Sequence, residues 1–205
     1  MSVTRRVTDG LQLMLPALRS LTDALVDDAV QQTTEAGRNV SCRSGCSACC
    51  RQLVPVLPVE MGPIRKVIGS LPPAQREVVL ERARHARGSA ERAGLGPALD
   101  DAGGPTLASR HQLALDWFSL GLDCPFLEDR SCSIYAERPL ACREYLVTND
   151  PTSCEDPTGT TIAKIALKGS ASEAYKRVAT AIGIASPRTV IPFVDAILAA
   201  ATPED

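Results

Sequence analysis

Apolar residues recur at helical spacing through Leu11, Met14, Leu15, Leu18, Leu21, Leu25 and Ala29. That period of three to four marks one face of an amphipathic helix from Leu11 to Ala36, which Gly37 ends. A second helix is predicted over Val59 to Ile68, with Pro58 and Pro63 near its start and Gly69 at its end. Pro72 and Pro73 open a third segment, Ala74 to Ala93, dense in Glu and Arg. Its apolar seam is thin, with Val79, Ala83, Ala86 and Ala90 on one side, which describes a solvated helix. Between Gly88 and Thr106 six glycines and prolines crowd a short span, so 88–106 reads as a flexible surface loop. Leu107 to Leu120 is apolar on two sides through Leu113, Ala114, Trp117, Phe118 and Leu120. It predicts a central helix, with the lone Trp packed in the core.

Regular patterning stops after Gly121. Cys124 to Pro157 reads as irregular, with a short hairpin across Glu128, Asp129 and Arg130 and one helical turn near Tyr135. Ile162 to Ala201 predicts one or two helices broken near Gly183 to Pro187, although Thr160 to Leu167 also suits a short edge strand. The expected fold is therefore mainly α: a small helical domain with an irregular cysteine-rich metal-binding segment. One domain is expected over 1–205, with the N-terminal helix in 1–37 and the cysteine segments at 38–60 and 121–157. No repeat of fixed period is visible.

Composition supports helices over a β-sandwich, since 44% of residues are hydrophobic but only 3% aromatic. A formal net charge of −2, from 22 basic and 24 acidic residues without a basic run, argues against a nucleic-acid partner. The stretch Leu11 to Leu18 behind Arg5 and Arg6 is interrupted by Gln12 and followed by Arg19 and Asp23, which does not suit a signal peptide. No segment reaches the ~18 apolar residues of a membrane span; the best, Val190 to Thr202, holds Pro192 and Asp195. No membrane partner is expected, and the cytoplasm is the expected compartment. In a reducing compartment clustered cysteines point to metal or redox chemistry before structural disulfides.

There are eight cysteines. Four lie within nine residues, at Cys42, Cys46, Cys49 and Cys50, and Gly45 is free to take positive φ and let the loop wrap. The other four, Cys124, Cys132, Cys142 and Cys154, are widely spaced, with Pro125 and Pro139 stiffening the loops. Thiolates suit zinc, iron or an iron–sulfur cluster and are poor ligands for magnesium or calcium. All eight are candidate metal ligands, with Cys46, Cys49, Cys124 and Cys142 leading for one shared site and Cys154 last. Arg43, Arg51, Arg130 and Arg143 lie within two residues of a cysteine, where positive charge would lower thiol pKa values.

Cys42-x3-Cys46-x2-Cys49-Cys50, Cys124-Pro125-Phe126-Leu127, Cys132-Ser133-Ile134-Tyr135, Arg138-Pro139 and Cys142-Arg143 together resemble the YkgJ-type cysteine-cluster proteins. The first gap here is three residues, where that pattern often has two. The resemblance covers about Cys42 to Glu60 and Cys124 to Arg143, and implies a zinc- or iron-chelating domain. Flagellin lysine methylases carry the same type of cluster, for which the resemblance implies an iron–sulfur centre. It also places an acidic residue at Glu60, whose plainer role is to sit near a helix N-terminus.

Other chemistries fit less well. Cys42-x3-Cys46-x2-Cys49 has radical S-adenosylmethionine spacing, but no aromatic precedes the third cysteine and no alternation of strands and helices follows. Cys46-Ser-Ala-Cys49 lacks the βαβ context of thioredoxin. A methylase would need a glycine-rich turn after a strand for its methyl donor, and none is found. Neither His85 nor His111 gives a credible cysteine dyad, so no catalytic residue is assigned. Three functions are expected to compete: a metal-binding carrier or adaptor, an iron–sulfur redox or accessory protein of an enzyme, and a helical interaction module whose metal is purely structural.

Overall fold

The computed structural model describes residues 13–101, 106–156, 158, 161–181 and 191–202. Helices dominate, as the patterning predicts. Helix α1, Leu15–Glu35, carries Pro16 in its first turn, where a missing N–H costs nothing. It ends where Gly37 adopts φ +72° and the Arg38 amide donates back to Thr33 at 3.0 Å. A 3-10 turn at Pro58–Glu60 runs into α2, Met61–Ser70, and Pro73 then opens α3, Pro73–Arg92.

The loop expected over 88–106 is in part helical. Helix α3 continues through Gly88 to Arg92, and Gly96–Asp100 forms the five-residue helix α4. Two contacts that local composition does not reveal fix α4. Leu99 is buried to 1% exposure against Ala86, Ala90 and Trp117, and Arg87 on α3 bonds Asp100 at 2.7 Å while also reaching Glu91 and Asp195.

Helix α5 spans Leu107–Ser119, capped by the Thr106 hydroxyl accepting from the Ser109 amide. It is not the central helix its two-sided pattern predicts. Only Leu113 and Trp117 are buried, and Leu107 is 78% exposed. The buried Trp117 does confirm the expected packing role.

The larger core is a slab of α2, α3 and the last helix. Val56, Ile64, Ile68, Val79, Leu80 and Ala83 meet Phe126, Phe193, Ala196, Ile197 and Ala200 there. Helices α6, Leu140–Arg143, α7, Ala171–Ala181, and α8, Phe193–Ala201, complete the helical order. A second cluster joins α1 to α7 through Leu15, Leu18, Ala171 and Tyr175, with Leu57, Val59 and Leu140 between them.

Sheet content is small. Pro55–Val56 pairs antiparallel with Ile191–Pro192, and the Phe193 amide donates to the Val54 carbonyl at 3.0 Å. The expected hairpin is present as Leu127–Glu128 against Ser131–Cys132. Asp129 and Arg130 turn it at φ 45° and 60°, the pair of left-handed residues that a two-residue loop of this hand requires. A 3-10 turn follows at Tyr135–Glu137. The Thr160 to Leu167 segment contributes one bridge, Val147 to Lys164, rather than a full strand. The break expected at Gly183 to Pro187 lies outside the described residues. Among those residues no helix is long and apolar enough to cross a membrane.

Phe126 anchors the slab at the second cysteine segment, stacked on Phe193 with ring centroids 5.6 Å apart. Truncation in Phe126→Ala is expected to cost about 3–5 kcal/mol, the usual range for a buried Phe. Urea unfolding followed by Trp117 fluorescence would measure it, and a loss under about 1 kcal/mol would contradict this packing.

Candidate metal centre

Both cysteine segments leave the hydrophobic slabs at adjacent points. The first descends from α1 through a loop that turns at Gly45, φ +86°, as its position among the cysteines predicts. Tight reverse bonds fold it, Cys46 N–H to Arg43 O and Cys50 N–H to Ser47 O. The Cys50 carbonyl then accepts the Cys124 amide at 2.7 Å, so residues distant in sequence are joined main chain to main chain. An ion pair between Arg51 and Asp123 at 2.9 Å flanks that junction. The Cys42 end is tied separately. Ser41 N–H donates to Val147 O at 2.9 Å, the Val147 amide reaches Cys42 Sγ at 3.4 Å, and Cys42 Sγ faces the Tyr145 carbonyl at 3.8 Å.

All eight cysteines are free thiols. Cys124 and Cys132 pack on the large slab beside Phe126, Cys42 packs on Ala29, Leu146 and Ile165, and Cys154 is buried. Cys49 acts electrostatically on most of the set. Its charge raises the pKa of Cys42, Cys50, Cys124, Cys132, Cys142 and Cys154. The remaining couplings differ from thiol to thiol. Cys50 and Cys142 each feel Cys124 and Cys132, whereas Cys154 feels Cys42 and Cys46. Cys49 and Cys142 also face one cleft of about 290 Å³.

Burial opposes ionisation of most of these thiols. It pushes Cys124 up to about 12 and Cys154 to about 11, and it raises Cys42, Cys132 and Cys142. Cys49 goes the other way, to about 7, chiefly because the Cys50 thiol donates a hydrogen bond to it. Cys50, holding that proton, is raised. Arg138 is a cation that favours the thiolates of Cys42, Cys49, Cys132 and Cys142. Its guanidinium lies 4.2 Å from the Tyr135 ring centroid, and among the described residues its buried Nε has no hydrogen-bond partner.

The arginines expected from proximity in sequence are placed differently. Arg51 is paired with Asp123. Arg143 clamps the loop before α6 by donating to the carbonyls of Arg138 and Ala136 and by pairing with Asp23. Arg138, four residues from Cys142, was visible in the sequence only as part of the Arg138-Pro139 pair.

Two further residues organise the site. Glu60 is 6% exposed and does more than sit near a helix start. One oxygen accepts the Leu57 amide and the other the Leu140 amide, both at 2.9 Å. It therefore ties the exit of the first cysteine segment to the start of α6, which carries Cys142. Burial raises its pKa against the pull of these two donors. Tyr145 had no signal of its own in the sequence. Its hydroxyl accepts from Gln52 Nε2 at 3.2 Å and acts to lower the pKa of Cys154.

Eight free soft donors suit a thiophilic ion in chemistry. Among the described residues, however, no three His, Cys, Asp or Glu side chains already stand together as a ligand shell. The thiols are gathered but not closed on a point.

The chain is mainly helical, and a main-chain hydrogen bond joins its two cysteine segments. The CxxCxxCC family, described as "Putative zinc- or iron-chelating domain", matches residues 41–161, more than half of the chain. The chain belongs to this family. No curated protein and no solved structure gives a significant match.

Two outcomes follow from the geometry. In metal-free protein, iodoacetamide should label Cys49 with a midpoint near pH 7, because its thiolate population rises as pH passes its pKa. Cys50→Ala removes the donated proton and should move that midpoint upward; peptide mass mapping across pH 6–9 checks both. Removing Glu60 orphans two buried amides at about 1–3 kcal/mol each, so Glu60→Ala should cost more than about 2 kcal/mol in urea unfolding and Glu60→Gln less, since its carbonyl keeps one bond.

Proposed function

We propose that this protein binds zinc or iron, as single ions or as an iron–sulfur cluster, through thiolates drawn from all eight cysteines, and that it works as a metal carrier or metallated adaptor in the reducing cytoplasm. The observation that carries the reading is the Cys50–Cys124 main-chain hydrogen bond at 2.7 Å, which brings the two cysteine segments side by side. Two groups of ligands are proposed. Cys50, Cys124, Cys132 and Cys142 make one, Cys42, Cys46 and Cys154 the other, and Cys49 is common to both. This grouping separates Cys46 from Cys124 and Cys142, unlike the single four-cysteine site expected from the sequence, and it gives Cys154 a place.

Loading exchanges protons for metal, because a thiol ligates as thiolate. The Cys50 to Cys49 hydrogen bond belongs to the protonated state, and small rotations of the side chains close the shell once that proton leaves. Arg138 offsets part of the negative charge gathered there.

Metal analysis with ultraviolet–visible spectra of anaerobically prepared protein tests the reading. Zinc gives colourless protein, while a sulfide-bearing cluster gives a brown one with visible absorption and favours the redox or accessory role. Protein without either metal would refute the proposal. Structural zinc contributes on the order of 10–16 kcal/mol in peptides, at or above the ~5–15 kcal/mol net stability of a domain. Chelation should therefore speed proteolysis between Cys124 and Cys154 while far-UV dichroism changes little. Unchanged cleavage after verified removal would count against a shared site.

A further inference from the structure

Cys50 and Cys124 stand closer than anything in their spacing implies. The Cys124 amide donates to the Cys50 carbonyl at 2.7 Å. With standard bond lengths that single contact keeps the two Cα atoms within about 6.6 Å of each other, whatever the local twist. Disulfides span Cα separations of about 4.4–6.8 Å, so the backbone already stands where a bridge needs it. Among the described residues no other two cysteines share a main-chain hydrogen bond. Both residues also line one cavity of about 20 Å³, together with Trp117, Pro125 and Phe193. That space holds about one water and lets the sulfurs turn toward each other.

Contacts that do not involve sulfur hold each side in place. Arg51 and Asp123, the neighbours of the two cysteines, pair at 2.9 Å, so the strands meet in antiparallel order. On the first strand Cys50 N–H donates to Ser47 O at 2.9 Å and Gln52 N–H to Cys49 O at 3.1 Å. Past Cys124, Arg82 donates to the carbonyls of Pro125 and Leu127 at 3.2 and 3.0 Å, and Phe126 is stacked on Phe193. Two thiols fixed in this way react with each other in preference to a second molecule from solution.

We propose that Cys50 and Cys124 form a reversible disulfide when the metal-free protein meets a small-molecule disulfide, which makes their junction a redox-responsive site. The inference goes beyond the metal reading and does not rest on it. One cysteine of the pair, as thiolate, attacks a sulfur of the oxidant and releases one small thiol. The second cysteine then attacks the mixed disulfide and releases the other. The pair loses two electrons and two protons, and the oxidant takes them up as two thiols. Both cysteines are only partly buried, so the oxidant can reach the junction. In a reducing compartment such a bridge is transient. While it lasts, it closes the loop that carries α2, α3, α4 and α5 and withdraws two thiols, one from each cysteine segment.

The test uses the full chain, stripped of metal by a chelator, reduced, and then equilibrated anaerobically with oxidised glutathione. Remaining thiols are alkylated before digestion with trypsin. A bridge should join peptide 44–51, which carries Cys46, Cys49 and Cys50, to peptide 111–130, which carries Cys124. Tandem mass spectrometry should place it on Cys50, and dithiothreitol should release it. Trp117 is the sole tryptophan and lines the same cavity. A disulfide quenches an adjacent indole, so its fluorescence should fall on oxidation and recover on reduction. Cys49→Ser should keep both the bridge and the fluorescence change, and Cys50→Ser should lose both. If either variant fails to fold, the fragment assignment in the native chain decides alone. A bridge from Cys124 to any other cysteine, or Cys124 left as a free thiol after oxidation, would overturn the inference.

Discussion

One carbonyl oxygen meeting one amide, Cys50 to Cys124, sets the terms for everything around it. Thiols near one another resist ionisation, since each new thiolate repels the next and burial removes the water that would solvate it. Gathering eight of them therefore has to be enforced by contacts that do not depend on the sulfurs. The main-chain bond, the Glu60 link to Leu57 and Leu140, and the Ser41–Val147 bond are such contacts. Each joins backbone to backbone, or a carboxylate to backbone, so sulfur chemistry is left free.

The hydrophobic slabs supply the energy behind those contacts. Cys124 and Cys132 are seated against Phe126, Phe193 and the last helix, while Cys42 rests on the first helix through Ala29. Thiols of the two cysteine segments are thus carried by different parts of the core. Arg138 has a charge that favours four of the thiolates and a buried Nε without a hydrogen-bond partner among the described residues.

Helix α1 and its Gly37 stop, the buried Trp117, the turn at Asp129–Arg130 and the positive φ of Gly45 were all legible in the sequence, because each is written in local periodicity or in the steric needs of one or two residues. Helix α4 was not: five residues among glycines and prolines hold their shape through Leu99 and Arg87, which are tertiary contacts. Helix α5 misled for the opposite reason, since apolar residues on two faces do not say how many faces find partners. At the site, the identity of the donors was plain from cysteine spacing, but their grouping was not. Arg138, Glu60 and Tyr145 matter through what the fold places opposite them, and distance along the chain carries no record of that.

The last helix has a consequence for what counts as a unit of this protein. Phe193, Ala196, Ile197 and Ala200 sit in the same slab as Phe126, and Ile191–Pro192 pairs with Pro55–Val56 just past the first cysteines, yet the last helix and its strand lie beyond residue 161, where the family match stops. The matched segment thus shares its core with sequence outside it. A relative could change its C-terminal helix and retune how firmly the sulfurs are held, without altering a single cysteine.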